Sequence, residues 1–147
     1  MIINLLTLII DDKIFALDIN YVERVTSSIE ITTIPELPDY IRGVINYQTK
    51  IIPVINNRKL FLIEDKEIEL EDMFIIVSYN SKTFCIISDS TDEIISCQDS
   101  DILDSKSISS NLKLTKGIIE KEGKIIIVYD INEFIQFEEY QIIEKRF

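Results

Sequence analysis

The sequence predicts a mostly β protein made of small antiparallel barrel units, and three observations lead to this fold class. First, 33 of the 147 residues are Ile and only Ala16 is Ala, and β-branched side chains favour strands over helices. Second, short apolar runs alternate with turn signals along most of the chain. Third, a hydrophobic fraction of 46% suffices for a sizeable core, and 147 residues fit one domain.

The charge balance and the missing residue types exclude several functions. The 15 basic and 26 acidic residues give a formal net charge of −11, which repels phosphate backbones and anionic lipid headgroups, so we expect no nucleic-acid partner. The chain has no His, which removes Ser-His and Cys-His dyads and His-ligated metals. Because Cys85 and Cys97 lack CxxC spacing, we expect both to be reduced.

The N-terminus is apolar but does not have the features of a targeting segment. It lacks a basic n-region and a small-residue cleavage site, and Asp11-Asp12-Lys13 ends the apolar run after ten residues. No apolar run approaches the roughly 20 residues needed to cross a bilayer. We therefore interpret residues 1–10 as a first strand, and we expect a soluble cytoplasmic protein without direct membrane insertion.

An internal duplication determines the order of the elements. The stretch Gly43–Phe61 aligns without gaps on Gly117–Ile135. Two residues recur unchanged, Gly43 as Gly117 and Lys50 as Lys124. Chemical character is kept in further pairs: Val44 and Ile118, Ile45 and Ile119, Ile51 and Ile125, Ile52 and Ile126, Val54 and Val128, Asn56 and Asp130, Leu60 and Phe134.

A weaker repeat precedes each copy of the Gly-led hairpin. Lys13–Val25 resembles Lys82–Ile94, again without gaps. Each half therefore contains a strand, a turn and a strand, then a short connection and a Gly-led hairpin, an order typical of a small antiparallel barrel. We predict a first unit at about residues 1–66 and a second at about 73–135, within one domain. The highly charged stretch Ile63–Asp72 is the predicted boundary between them.

The turns support this register, although one of them is unusual. Asp11-Asp12, Asn80-Ser81 and Glu122-Gly123 lie between apolar runs and tolerate turn geometry. Gln48-Thr49 takes the corresponding position in the other Gly-led hairpin but contains no Gly. That hairpin must use another turn type or accept backbone strain.

Helices are predicted to be a minor component. Asp18 is positioned to cap a short helical turn over residues 19–25, with Ile19, Val22 and Val25 on one side at helical spacing. The apolar spacing from Ile131 onwards predicts a C-terminal helix over about residues 131–147, lying against a barrel.

Candidate catalytic and metal sites receive little support. Asp99, Asp101 and Asp104 lack the DxDxDG core and the distal Glu of a calcium loop, so we interpret them as a solvated acidic loop. No GxSxG, P-loop or GxGxxG motif occurs. The carboxylate pairs Asp11-Asp12 and Glu138-Glu139 fall at a predicted turn and in the tail. We expect no catalytic residue, no metal and no cofactor.

The segment Ile34–Phe61 resembles the signature of the CheW-like chemotaxis coupling proteins. In that family a Pro-containing loop leads into a GVINLRG-type hairpin and then into IVPVVDLR. The matching positions are Ile34, Pro35, Pro38, Ile41, Gly43, Val44, Ile45, Asn46, Ile51, Pro53, Val54 and Arg58. The similarity extends through Leu6–Val25, Phe84–Ile102 and Gly117–Ile135, and so covers most of the chain.

The resemblance implies two packed five-stranded SH3-like barrels with short helices, a fold that also accounts for the duplication. It implies a non-catalytic adaptor that joins the regulatory domain of a CheA-type histidine kinase to the cytoplasmic tip of chemoreceptors. Such proteins lie in receptor arrays at the inner face of the membrane. Two other functions remain open at this point: a divergent module of the family serving another histidine-kinase pathway, and a carboxylate-dependent hydrolase with two carboxylates converging in a cleft.

The resemblance also suggests which residues bind partners. On the first barrel, it assigns four residues to the kinase-binding surface: Gly43, Val44, Asn46 and Arg58. Between the barrels, it assigns four residues to a receptor-binding groove, of which the two valines belong to a short helix in the family pattern: Val22, Arg24, Val25 and Gln48.

Several residues depart from the family pattern. Gln48 and Thr49 replace the Arg and Gly of NLRG, and Arg24 stands where the family usually has Glu. We hypothesise that an Arg24–Gln48 hydrogen bond replaces the Arg–carboxylate pair that would brace the hairpin. Asn56 and Asn57 replace the Asp and Leu that precede the final Arg of the signature, which changes the partner surface.

Overall fold

The computed structural model describes residues 1–104 and 114–136, and the side chains of residues 135 and 136 lie outside this description. The strands are β1 (Ile2–Ile10), β2 (Lys13–Asp18), β3 (Val22–Ser27), β4 (Ile41–Tyr47), β5 (Lys50–Ile55), β6 (Met73–Tyr79), β7 (Lys82–Ser88), β8 (Ser90–Gln98), β9 (Leu103–Asp104), β10 (Thr115–Lys121) and β11 (Lys124–Tyr129). The helices are α1 (Asn57–Leu60), α2 (Ile131–Gln136) and the 3-10 turns η1 (Ile19–Tyr21) and η2 (Asp99–Asp101).

The strands form two sheets, each of which curls into a small barrel, so the mostly β prediction is confirmed. Barrel A has the strand order β8-β1-β2-β11-β10-β9, and barrel B has the order β3-β6-β7-β5-β4. In barrel B, a bridge between Thr32 and Val44 connects the chain beyond β3 to β4, with N–H···O distances of 2.8 and 2.9 Å. In barrel A, η2 joins the two edge strands β8 and β9.

The two barrels do not divide the chain at the boundaries that the repeat predicts. Barrel A takes β1 and β2 from the first half of the chain, and barrel B takes β6 and β7 from the second half. Each barrel therefore combines the first hairpin of one repeat with three or more strands of the other. The predicted units at 1–66 and 73–135 are repeats of sequence but not separate barrels, because the Gly-led hairpin of each repeat pairs with the first hairpin of the other.

The parallel strand pairs show that the sequence alignment is structurally correct. In barrel B, Val54 on β5 lies opposite Cys85 on β7. In barrel A, Val128 on β11 lies opposite Ala16 on β2. These two pairings superimpose when the repeats are aligned, since Val54 corresponds to Val128 and Ala16 to Cys85. The duplication is therefore preserved residue by residue in the strand register.

The alternation of side chains along the exchanged hairpins creates three apolar clusters. On β2, Ala16 points into barrel A while its neighbours Phe15 and Leu17 point into a central cluster between the barrels. On β7, Cys85 points into barrel B while Phe84 points into the same central cluster. Because successive residues of a strand face opposite sides, a hairpin buried on both faces needs a continuous apolar run.

The repeated glycine of each Gly-led hairpin allows one barrel to close. A Cβ atom added at Gly43 would lie 2.5 Å from the backbone oxygen of Thr32. A Cβ atom at Gly117 would lie closer still to the backbone oxygen of Leu103. Each glycine thus lets the segment that completes its barrel approach the hairpin backbone.

The helix predicted over residues 19–25 is confined to the three residues of η1. Asp18 caps it as expected, since its Oδ1 accepts a hydrogen bond from the Asn20 N–H at 3.0 Å. Val22 and Val25 lie instead on β3, which pairs antiparallel with β6. The prediction of a longer helix was wrong because β-branched residues paired with a neighbouring strand gain more from the sheet than from helical spacing.

The predicted C-terminal helix begins where expected. Asp130 accepts a hydrogen bond from the Glu133 N–H at 3.2 Å, and helix α2 follows from Ile131. Phe134 is buried in the central cluster. The remainder of the predicted helix, residues 137–147, lies outside the described residues.

The Gln48-Thr49 turn, which contains no glycine, adopts a strained backbone conformation, as its sequence predicts. Gln48 and Thr49 have φ values of 48° and 69°, and Tyr47 pairs with Lys50 across this two-residue turn. A left-handed conformation at both central residues is the geometry of a tight hairpin turn, and it is unfavourable for a β-branched residue. The corresponding turn in barrel A has Gly123 at φ 78°.

We predict that Thr49→Gly stabilises the protein by about 1 kcal/mol, because glycine removes the left-handed backbone strain. The converse change Gly123→Thr should destabilise it by about the same amount. An added Cβ at Gly123 meets no atom within 4 Å, so the backbone alone is tested. Urea unfolding followed by circular dichroism measures both changes. Equal midpoints for Thr49→Gly and the unchanged protein would show that this turn stores no strain.

Candidate interaction surfaces

The duplication places two equivalent grooves between the barrels. We name the segment Ile63–Asp72 the connector. The connector groove is lined by Arg42, Asn56 and Arg58 among other residues, and the open groove by Lys116, Asp130 and Asn132. These three positions correspond pairwise in the alignment of Gly43–Phe61 on Gly117–Ile135, extended by one residue at its start. The two grooves therefore derive from the same element of the repeat.

An ion pair of Arg58 organises the connector groove. Arg58 is 9% exposed, and its Nη2 donates to both carboxylate oxygens of Asp89 at 2.8 Å. Its Nη1 donates to the backbone oxygen of Glu64 at 2.7 Å, and Asp89 also accepts from the Asp11 N–H at 2.7 Å. Burial alone raises the pKa of Asp89, but Arg58, the Asp11 N–H and Lys66 outweigh it and hold the pKa below its usual value.

Two further cations attach the connector to the barrels. Nζ of Lys66 lies 3.3 Å from Asp72 and 3.5 Å from Asp89. Partial burial lowers the pKa of Lys66, but these carboxylates outweigh it, so the pKa lies above its usual value. Arg42 donates through Nη2 to Asp65 at 2.7 Å and to the backbone oxygen of Lys66 at 2.5 Å. The charged stretch predicted as a boundary is therefore bound along the groove.

The open groove has a different lining and no connector of its own among the described residues. The rings of Tyr21 and Tyr79 meet edge to face with centroids 5.1 Å apart at its side. Buried Tyr129 forms its floor and accepts a hydrogen bond from Asn57 at 3.2 Å. Burial raises the pKa of the Tyr129 phenol, and Asn57 offsets this only in part. The phenol therefore stays neutral and serves as a structural contact.

The residues predicted for the receptor groove lie on β3 and on the tip of the β4–β5 hairpin. Val22 and Val25 are half-buried against the central cluster, and Arg24 and Gln48 are exposed. Val22 follows Tyr21 directly, which places the start of β3 beside the open groove. The two valines therefore lie on a strand rather than on a helix, packed against the central cluster, and neither lines the open groove.

The predicted Arg24–Gln48 hydrogen bond is absent from the part of the chain that the structure describes. Arg24 and Glu23 interact instead with the phenol of Tyr47, the residue before Gln48. Burial raises the pKa of Tyr47, Glu23 raises it further, and Arg24 offsets part of the rise. Because Tyr47 ends β4 and the two charged residues lie on β3, this contact connects the edges of barrel B.

The predicted kinase-binding surface contains one exposed residue. Gly43 and Val44 are buried in the closure of barrel B, and Arg58 is buried in its ion pair with Asp89. Asn46 is exposed on β4, one residue before Tyr47. Of the four predicted residues, only Asn46 therefore has an exposed position, and the other three are buried parts of the fold.

The acidic residues considered for metal binding or catalysis have other contacts or positions among the described residues. They contain no cluster of three or more Cys, Asp or Glu side chains that could bind a metal. Asp101 accepts from the Gln98 N–H at 2.8 Å and Asp99 pairs with Lys116, so these acids stabilise η2. Glu69 has a raised pKa beside Glu71, but both are exposed on the connector and not in a cleft. Glu138 and Glu139 lie outside the described residues.

Neither the cysteines nor the helices point to another kind of site. Cys85 and Cys97 are unpaired, and burial raises the pKa of Cys85 well above its usual value. Across residues 1–104 and 114–136, no helix has the length and apolar character required to span a membrane.

Two packed barrels with a groove lined by aromatic and polar side chains are the architecture of a protein–protein interaction module. The family model of the CheW-like domain matches residues 4–139. This chain belongs to the CheW-like family.

Known proteins of the family are similar over nearly the whole chain. The chemotaxis protein CheW of Thermotoga maritima is 27% identical over 128 residues, which cover 86% of this chain and 83% of that protein. CheW of Treponema pallidum is 24% identical, over 94% of this chain and 85% of that protein. The crystal structure of the scaffolding protein TtCheW from Thermoanaerobacter tengcongensis is 27% identical, with a TM-score of 0.83, and the match covers 95% of this chain and 96% of that one.

We predict that Asp89→Asn destabilises the protein by about 2 kcal/mol at pH 7, because it leaves the buried Arg58 without its carboxylate partner. The Asp89 pKa is lowered in the folded state, so its contribution is complete above the unfolded pKa of about 4 and is lost as the pH falls through the folded value. The difference in unfolding free energy between the two proteins should therefore shrink below about pH 4. Urea titrations between pH 7 and pH 3 measure it.

Asp12→Asn provides the matched control, since Asp12 is an exposed carboxylate paired with Lys13 on the surface. It should leave the urea midpoint unchanged at pH 7. If Asp89→Asn behaved like Asp12→Asn, the ion pair of Arg58 would not stabilise the connector groove.

Proposed function

We propose that this chain is a chemotaxis coupling adaptor that connects a CheA-type histidine kinase to the cytoplasmic tip of chemoreceptors. The observation that carries the proposal is the CheW-like match over residues 4–139 together with the two-barrel fold and its groove. The relatives named as chemotaxis CheW proteins and the scaffolding protein of the same fold support it. An adaptor needs surfaces and no reactive groups, in agreement with a sequence that has no His.

The kinase contact is assigned to the β4–β5 hairpin of barrel B. Asn46 is exposed there, and the tip residue Gln48 is exposed next to it. Gly43, Val44 and Arg58 act indirectly, because their burial fixes the hairpin and the adjacent connector. The partner is the regulatory domain of the kinase, which is itself of CheW-like fold in this family.

The receptor contact is assigned to the open groove and the start of β3. Val22 follows the groove residue Tyr21 directly, Val22 and Val25 are half-buried on β3, and Arg24 between them is exposed. Tyr21 and Tyr79 extend this apolar surface into the groove. Aromatic side chains with partly buried rings are favoured at protein interfaces because they bury a large area at little entropic cost. In this function the protein works in the cytoplasm, in receptor arrays at the inner face of the membrane.

A binding experiment with two variants tests both assignments. We predict that Asn46→Arg weakens binding of the kinase regulatory domain by about tenfold and leaves receptor binding unchanged. Arg24→Glu should weaken binding of a receptor-tip fragment by a similar factor and leave kinase binding unchanged. Isothermal titration calorimetry with each purified partner measures both affinities.

Both substitutions replace exposed side chains, and circular dichroism checks that Arg24→Glu, which removes the contact with Tyr47, keeps the fold. Lys124→Glu, on the exposed turn of barrel A, is the control and should bind both partners normally. Failure of the unchanged protein to bind either partner would contradict the adaptor function. Equal binding by all variants would contradict the assigned surfaces.

A further inference from the structure

Tyr47 is a buried residue at the exposed tip of the β4–β5 hairpin. It is 7% exposed, whereas its neighbours Asn46 and Gln48 are exposed. Tyr47 ends β4 and pairs with Lys50 across the Gln48-Thr49 turn. A partner that binds the hairpin therefore meets Asn46 and Gln48 directly, and Tyr47 acts on that partner through them.

The phenol of Tyr47 joins the two edge strands of barrel B. The strand order of barrel B begins with β3 and ends with β4, and the bridge from Thr32 meets β4 at Val44. Beyond that bridge, the phenol donates a hydrogen bond to Glu23 on β3 and accepts one from Arg24. Because a buried polar group without a partner is costly, the phenol is held where these two residues satisfy it.

Glu23 is itself fixed on the sheet. Ser78 on the neighbouring strand β6 donates to Oε1 of Glu23 at 3.2 Å. The hydroxyl of Ser78 also lies 3.0 Å from that of Thr83 on β7. The hydrogen bonds thus run from β7 through β6 and β3 to the end of β4. They fix the end of β4 relative to the body of barrel B.

The turn that follows Tyr47 requires such support. Gln48 and Thr49 both have left-handed φ values, of 48° and 69°, and such strain persists only where the surrounding structure holds it. In barrel A, the repeat has Lys121 at the position of Tyr47. It has Gly123 at the position of Thr49. The buried phenol and the β-branched turn residue therefore occur together in one barrel and are replaced together in the other.

We infer that Tyr47 is a positioning residue for the kinase contact: its hydroxyl, bound to Glu23, fixes the strained tip on which Asn46 and Gln48 meet the kinase regulatory domain. The inference rests on the proposed function for the identity of this partner. Tyr47 stands where the GVINLRG signature has Leu, so the phenol is a departure from the family pattern. A tip that is ordered before binding loses less conformational entropy when the complex forms.

Tyr47→Phe removes only the hydroxyl and so tests this role directly. We expect it to weaken binding of the kinase regulatory domain to the full chain about fivefold, and to leave binding of the receptor-tip fragment unchanged, in isothermal titration calorimetry. Glu23→Ala should weaken kinase binding by the same factor. The double variant should bind no more weakly than either single variant, because both changes remove one hydrogen bond. Arg24→Glu keeps the donation to Glu23 and should therefore keep kinase binding.

Amide hydrogen exchange of the free protein gives a readout that needs no partner. Tyr47→Phe should speed exchange of the Lys50 amide about fivefold, because the tip that Lys50 closes is no longer held to β3. Ser96→Ala is the control, since it removes an exposed hydroxyl that donates to Asn4 on barrel A. It should change neither the kinase affinity nor the exchange of Lys50.

Three results would overturn the positioning role and leave the adaptor function standing. These are equal kinase affinities of Tyr47→Phe and the unchanged protein, losses from Tyr47→Phe and Glu23→Ala that multiply in the double variant, or unchanged exchange at Lys50. A lower urea midpoint of Tyr47→Phe with unchanged kinase affinity would make the phenol a structural contact only. If the unchanged protein did not bind the kinase domain, the adaptor function would fall, and the positioning role with it.

Discussion

The structure depends on the burial of two hairpins on both of their faces. The β1–β2 and β6–β7 hairpins each contribute one face to a barrel interior and the other to the central cluster, where Phe15 and Phe84 are fully buried. Exchange of these hairpins between the repeats joins the barrels, because neither barrel keeps its strands without the other half of the chain. The grooves that lie between the barrels are therefore fixed by the same packing that forms the cores.

Much of this fold is accessible from the sequence, because the duplication fixes strand order and register. The alignment of Gly43 on Gly117 predicts two matching hairpins, and both glycines have the same role in the structure. The exchange of hairpins cannot be predicted from the sequence. A continuous apolar run is compatible with any partner that covers it, and pairing between distant strands leaves no local sequence pattern. Val22 and Val25 show the same limit: their spacing suits a helix, and only their pairing with β6 makes them a strand.

The interaction surfaces, too, can be predicted from the sequence only in part. The family signature leads to the β4–β5 hairpin, but residue matching alone cannot separate Asn46, which is exposed, from Arg58, which is buried in an ion pair. Asp89 carries no signal of its own in the sequence, because it is one of 26 acidic residues and its partner lies 31 positions away. Tyr47 rather than Gln48 contacts Arg24: Tyr47 is the buried last residue of β4, whereas Gln48 lies in the exposed turn.

The duplication produces two corresponding grooves, and the connector fills one of them. A chain that follows α1 must continue to β6, and the connector crosses the nearest groove on the way, where Arg42, Arg58 and Lys66 hold it. Among the described residues, no strand follows α2. The positions of the open groove have diverged, with Lys116 and Asn132 in place of two arginines and with Tyr129 in place of Ile55. A buried ion pair such as Arg58–Asp89 stabilises a permanent occupant. The connector has thus made one copy of the repeated groove part of the fold.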